Sequence, residues 1–341
     1  MRRDNYPHQD DFVFMTEPTL HYVACDDAQG GHRMAYWQWG DARSAHVVVC
    51  VHGLTRQGRD FDLLAQAIVA RAGGNVRVVC PDVVGRGRSD WLRDPSFYQV
   101  PVYAADMVAL VAQLHREHPI DTLDYIGTSM GGLIGFVLAG HKELPLARPI
   151  RRFVLNDVGP TIEPAAVQRI GAYVGKSGRY ESVQAAADAM WALSTTFGPH
   201  TPEQWLALSR HMVVPASLRT ADGSAKVEAS GKEGGEEGGE EGGEEGGWLL
   251  HYDPAIGVAL RAITPEAAAQ GGAIMWSLYD AIEARTLITR GAVSDLLSRE
   301  TAQAMTQRGP HAALVEFEGV GHAPTFVDPA QIAVVTRFLF D

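Results

Sequence analysis

Apolar residues in the first half of the chain alternate between short unbroken runs and longer stripes spaced three and four apart. The runs "HVVVCVHG" (46–53) and "VRVVCPDVVG" (76–85) are rich in β-branched residues, as strands buried on both faces of a parallel sheet are. Before them, "TLHYVACD" and "RMAYWQWGD" predict two opening strands. Between the runs "DFDLLAQAIVARAGG" predicts a helix. "AADMVALVAQLHREH" then sets Met107, Leu110, Val111 and Leu114 at i, i+3, i+4 and i+7, a helical stripe facing a core. A further strand, "LDYIG", runs into Ser129 and the apolar helix "GGLIGFVLAGH", and "IRRFVLNDVGP" supplies another strand ending near Asp157.

From about Thr161 the pattern turns mainly helical. "ESVQAAADAMWAL" is an amphipathic helix with Val183, Ala186, Ala187, Met190 and Trp191 on one face. "TPEQWLALSRHM" opens on a capping box, with Thr201 at the cap and Gln204 third. Strand character returns in "RTLITRG" and "AALVEFEGVGH", and "PAQIAVVTRFLF" closes the chain as a helix. The economical architecture is an α/β core, residues 1–160 and 276–341, interrupted by a helical cap over 161–275, because the two halves can share one sheet.

Charge changes this picture in one place. The chain carries a net −12, and the segment 231–247, "GKEGGEEGGEEGGEEGG", holds seven Glu against one Lys, which is −6 of that total. A Glu/Gly repeat has no apolar face to bury and maximal backbone entropy, so a disordered loop within the cap is expected. Acidity argues against nucleic acid as a partner, since phosphates call for a basic stripe. No stretch of about 18 uncharged apolar residues is present and no apolar leader opens the chain, so a cytoplasmic protein off the membrane is expected. Cys25, Cys50 and Cys80 have no metal-ligand spacing and are expected as reduced core thiols. His115 and His118 lack further ligands, and "GRGRSD" has Asp90 where a dinucleotide loop needs its third glycine, so neither a metal nor another cofactor is expected.

The candidate chemistry centres on "GTSMG". Gly127 and Gly131 let a strand turn abruptly into a helix, which exposes Ser129 at the sheet edge. A serine hydroxyl needs a base, and the base needs an orienting acid. "GVGHAP" offers His322 on a loop after the last strand, and "GAVSDLL" offers Asp295 after the strand before it. Asp157 is the rival acid; Asp295 is preferred, with "NDVGP" read as the turn that feeds the cap. "HGL" ends an earlier strand, so the backbone N–H of Leu54 can join that of Met130 in holding an oxyanion, with His52 bracing the loop.

Taken jointly, "VHGL", "PDVVGRGRSDW", "GTSMGG", "RGAVSDLL" and "GVGHAP" make the chain resemble the α/β-hydrolase superfamily from about His21 to the end, the cap and its acidic loop aside. The resemblance implies an eight-stranded, mostly parallel sheet with helices on both faces, an inserted helical cap and a cofactor-free serine hydrolase. The expected substrate is a small carboxylic ester or lactone. "SMGG" is also similar to the elbow of carbon–carbon hydrolases of ring-cleavage products, although Ala323 follows His322 where those have an aromatic residue. A third reading, from another class, is a ligand receptor that retains the triad.

Overall fold

The computed structural model describes residues 17–341 apart from 29, 177 and 220–245. Of the expected acidic loop, 231–245 therefore lie outside the described residues. The chain opens with β1 (Thr19–Cys25), β2 (His32–Gly40) and β3 (His46–Val51), then α1 (Asp62–Arg71), β4 (Arg77–Pro81) and α2 (Val100–Glu117). β5 (Thr122–Thr128), α3 (Met130–Gly140) and β6 (Ile150–Asn156) complete the first half. There follow α4 (Pro164–Tyr173), β7 (Arg179–Tyr180), α5 (Val183–Ser194), α6 (Pro202–Arg210), β8 (Val213–Pro215), β9 (Trp248–Leu250), α7 (Ile256–Arg261) and α8 (Pro265–Asp280). The last elements are β10 (Arg285–Gly291), α9 (Arg299–Thr306), β11 (Ala313–Phe317) and α10 (Pro329–Phe340).

Eight strands form one sheet in the order β1-β2-β4-β3-β5-β6-β10-β11. β2 pairs antiparallel with both neighbours, and every other pairing is parallel. The all-apolar runs occupy the centre of this sheet. Val47 to Val51 of β3 and Val78 to Cys80 of β4 are fully buried because helices cover both faces. On α2 the stripe Met107, Leu110, Val111 and Leu114 is buried as its spacing predicts. Burial also pushes the thiols of Cys25 and Cys80 up, and all three cysteines are free and buried.

The segment between β6 and β10 is not purely helical. β7, β9 and β8 pair antiparallel in a small separate sheet, elements too short to leave a period in the sequence. The capping box at Thr201 and Gln204 does open α6. α8 lies on α3 of the core, where a Cβ at Gly140 would come within 2.2 Å of the Leu278 carbonyl oxygen. Residue 275, the expected end of the cap, falls inside this helix. Among the described residues no helix is long and apolar enough to cross a membrane.

One polar cluster ties the loop after β1, through His32 of β2, to α2. His32 Nδ1 meets Asp27 Oδ2 at 2.9 Å and Nε2 meets Asp106 Oδ2 at 3.1 Å. Burial disfavours the charged ring, but the bonds and charges of Asp106 and Asp27 outweigh it and raise the His32 pKa from 6.5 to about 9. A pKa raised by folding stabilises fully below the unfolded value, and that contribution is lost as pH rises through the folded one. The melting temperature is therefore expected to fall between pH 6.5 and about 9. His32→Gln, which cannot take the proton, should melt lower and with a flatter profile over that window; an equally steep profile would remove His32 as the cause.

Candidate active site

The turn after β5 is one residue long. β5 ends at Thr128 and α3 begins at Met130, so Ser129 alone reverses the chain, with φ 52° and ψ −115°. A non-glycine residue there stores about 1–3 kcal/mol of strain. Its backbone is held on both sides: Ser129 N–H donates to the Asn156 carbonyl at 3.0 Å, and the Ser129 carbonyl accepts from Gly132 N–H at 2.8 Å. Close approach explains the flanking glycines. A Cβ at Gly131 would stand 2.1 Å from the Val51 carbonyl oxygen, and one at Gly127 would stand 2.5 Å from the Gly131 backbone.

From this turn a chain of hydrogen bonds runs through His322 to Asp157. Ser129 Oγ lies 3.0 Å from His322 Nε2, and His322 Nδ1 lies 2.7 Å from Asp157 Oδ2. Asp157 is fully buried. Its Oδ1 accepts from Gly291 N–H at 2.9 Å, and Oδ2 accepts also from the Ser294 hydroxyl at 2.6 Å. A carboxylate so surrounded by donors stays an acceptor, which puts the proton on Nδ1 of His322 and leaves the Nε2 lone pair toward the serine.

The acid beside His322 is thus Asp157, and the expectation for Asp295 is corrected. Asp157 follows the last residue of β6 directly, so the strand end aims it along the sheet edge. Asp295 stands four residues beyond β10, where the loop has turned to the surface. There it pairs with Arg169 of α4, at 2.8 Å to Nε and 3.0 Å to Nη2. The residue of "AVSDLL" that reaches the site is its neighbour Ser294. Nothing in the sequence singled out Ser294, because a hydroxyl beside a loop carboxylate reads as an ordinary turn.

His52 closes the other side. It is fully buried, Nδ1 donates to the Gly53 carbonyl at 2.7 Å, and Nε2 accepts from Val83 N–H at 2.9 Å. Burial pulls its pKa down to about 3, so the ring is neutral and serves as a strut between the loops after β3 and β4. A Cβ on Gly53 would be 3.7 Å from Ser129 Cβ, which places the 52–54 loop alongside the serine. Met130 opens α3, and its N–H belongs to the first turn of amides that have no acceptor within the helix.

The chain as a whole has relatives among known proteins. The alpha/beta hydrolase fold family model matches residues 46–329. The chain is 47% identical over 321 residues, 94% of it and 97% of the relative, to a 3-hydroxybutyrate-oligomer hydrolase of Cupriavidus necator. The chain belongs to the α/β-hydrolase family. It is a hydrolase, and its fold recurs in solved structures. An alpha/beta hydrolase from Novosphingobium aromaticivorans superposes with a TM-score of 0.73 at 33% identity, covering 96% of this chain and 99% of that one. An esterase of M. tuberculosis shares the fold at a TM-score of 0.64 and 19% identity, covering 96% and 94% of the two chains.

Within this α/β-hydrolase, Arg86 is a functional candidate that sequence reasoning missed. "PDVVGRGRSDW" supports the family resemblance without giving Arg86 a role, and an arginine there gives no periodic signal. The side chain is fully buried; Nε donates to the Leu54 carbonyl at 2.8 Å and Nη1 to the Val84 carbonyl at 2.7 Å. Its guanidinium lies over the rings of Tyr103 and Tyr98, at 4.9 and 5.6 Å from their centroids. By gripping the Leu54 carbonyl it fixes the peptide plane of the loop beside Ser129. Arg86→Met would strand two carbonyls and should cost about 2–5 kcal/mol of stability. In the folded fraction kcat should fall more than KM changes. An unchanged kcat at full folding would leave Arg86 a purely structural brace.

Proposed function

We propose that this α/β-hydrolase cleaves short oligoesters of hydroxy acids through an acyl-enzyme on Ser129. The observation that carries the reading is the Ser129–His322–Asp157 hydrogen-bond chain. In the proposed course His322 Nε2 takes the Ser129 proton as Oγ attacks the ester carbonyl, and Asp157 steadies the imidazolium. The N–H groups of Leu54 and Met130 hold the oxyanion. His322 then protonates the leaving alkoxide, and water, activated by the same histidine, releases the acid from the serine. The substrate class comes from the 47% identical relative, whose name specifies 3-hydroxybutyrate oligomers.

Residues 161–275 act in this reading as a cap over the serine. Two contacts support it: Thr196 Oγ1 donates to the His322 carbonyl at 3.1 Å, and Gly321 N–H donates to the Thr196 carbonyl at 2.6 Å. The three buried free thiols fit a reducing, cytoplasmic setting. The test is a panel of hydroxybutyrate dimer and trimer, simple esters and lactones of graded size, and a vinylogous diketone acid. The dimer and trimer are expected to give the highest kcat/KM. Preference for the diketone acid would instead favour carbon–carbon cleavage, and single-turnover behaviour on every compound would favour a receptor.

A further inference from the structure

A cavity of about 190 Å³ lies at the seam between the sheet and the segment joining β6 to β10, and Ser129 does not line it. Trp37, Arg59 and Arg88 line it from the core, Arg210, His211 and His251 from the other side. Among the described residues that line it there is no Asp or Glu. Arg59 is already engaged: it pairs with Asp62 at 2.8 Å and Glu17 at 3.1 Å and stacks over the Trp37 ring. Arg88 and Arg210 differ. Among the described residues neither guanidinium has a carboxylate partner, and Arg210 Nε donates only to the ring of His211, at 3.2 Å. The nearby carboxylate of Asp82 is committed to the N–H groups of Gly58, Arg88 and Trp37.

His251 supplies the second observation. Only 9% of it is exposed, its Nδ1 meets the His211 carbonyl at 3.4 Å, and among the described residues its Nε2 has no hydrogen-bond partner. Burial, reinforced by the charge of Arg88, pulls the His251 pKa down to about 3. Burial with Arg59 and Arg210 does the same to His211. Both rings are therefore neutral at neutral pH. Among the described residues, the cavity presents two guanidinium groups outside any ion pair next to a buried acceptor without a donor. A ligand that satisfies both carries a compact anion, which arginine grips in a fork, and a hydroxyl.

We propose that this seam cavity binds a short hydroxy-carboxylate anion, with the carboxylate on Arg88 and Arg210 and the hydroxyl donating to His251 Nε2. The choice of ligand rests on the oligoester reading, since hydrolysis of such an ester releases this kind of acid. Inorganic phosphate offers the same chemistry in outline, an oxyanion bearing a hydroxyl.

Calorimetric titration of Ser129→Ala with 3-hydroxybutyrate, butyrate and inorganic phosphate separates these cases without requiring turnover. One saturable site for 3-hydroxybutyrate is expected. Arg88→Gln and the exposed Arg210→Gln, each added to that background, should weaken it about tenfold or more, an effect of the size of a lost charge-assisted bond. In the Ser129 parent the same arginine changes should leave hydrolysis of a simple acetate ester within about twofold. Butyrate should bind about tenfold more weakly than 3-hydroxybutyrate, and His251→Phe should erase that difference. Absence of saturable binding, or binding indifferent to both arginines, overturns the site. Tighter binding of phosphate than of 3-hydroxybutyrate overturns the hydroxy-acid assignment. If the parent cleaves no hydroxybutyrate oligomer yet this titration succeeds, the oligoester reading alone fails.

Discussion

Asp157→Asn is expected to lower ester turnover by about 10⁴-fold, the loss seen when the acid of a serine-protease triad becomes an amide. The cause is the tautomer of His322. Asp157 Oδ1 accepts from Gly291 N–H and Oδ2 accepts from both Ser294 and His322. An asparagine keeps one carbonyl oxygen for Gly291 and presents its NH₂ to the others. His322 Nδ1 must then accept, the proton moves to Nε2, and the ring can no longer take a proton from Ser129. Asp295→Asn should change turnover by less than about threefold, because its pair with Arg169 is exposed (43% and 37%) and such pairs contribute about 0–1 kcal/mol. Steady-state kinetics on both variants, each confirmed folded by circular dichroism, decides between them. The reverse ranking would return the acid to Asp295.

The distribution of what the sequence could and could not reveal has a physical cause. Strand–helix alternation is written in hydrophobic spacing, which is why β3, β4, α2 and the elbow at Ser129 are legible from residue order alone. The elbow is legible because only small residues fit where Gly127 and Gly131 lie against backbone. The acid is a different matter. Asp157 and Asp295 both follow strands that are neighbours in the sheet, β6 and β10, so chain order permits either. Which one turns inward depends on its distance from the strand end and on the loop's path, and neither leaves a period in the sequence. The same holds for Arg86, whose role comes from the carbonyls it reaches, and for the small sheet of β7, β8 and β9. Its strands of two and three residues carry too little pattern to be seen.

Ser129→Ala is expected to reduce kcat by about 10⁶-fold, the order found when a triad nucleophile is removed. The fold should be undisturbed, because alanine keeps the Cβ and the held backbone, and only Oγ is lost. KM should change little, since residues 161–275 and the 52–54 loop are untouched. Residual hydrolysis above the solvent rate is expected if the Leu54 and Met130 N–H groups hold the oxyanion as proposed.

The most direct measurement of the account is the site and stoichiometry of labelling by a serine-directed fluorophosphonate, read by mass spectrometry of the digested protein while activity is followed in parallel. One adduct per chain is expected, on the peptide containing Ser129. Activity should be lost in proportion to labelling, labelling should be much slower in Asp157→Asn, and there should be none in Ser129→Ala. A Ser129 adduct that leaves ester turnover intact, or full inactivation with the adduct on another residue, would contradict it.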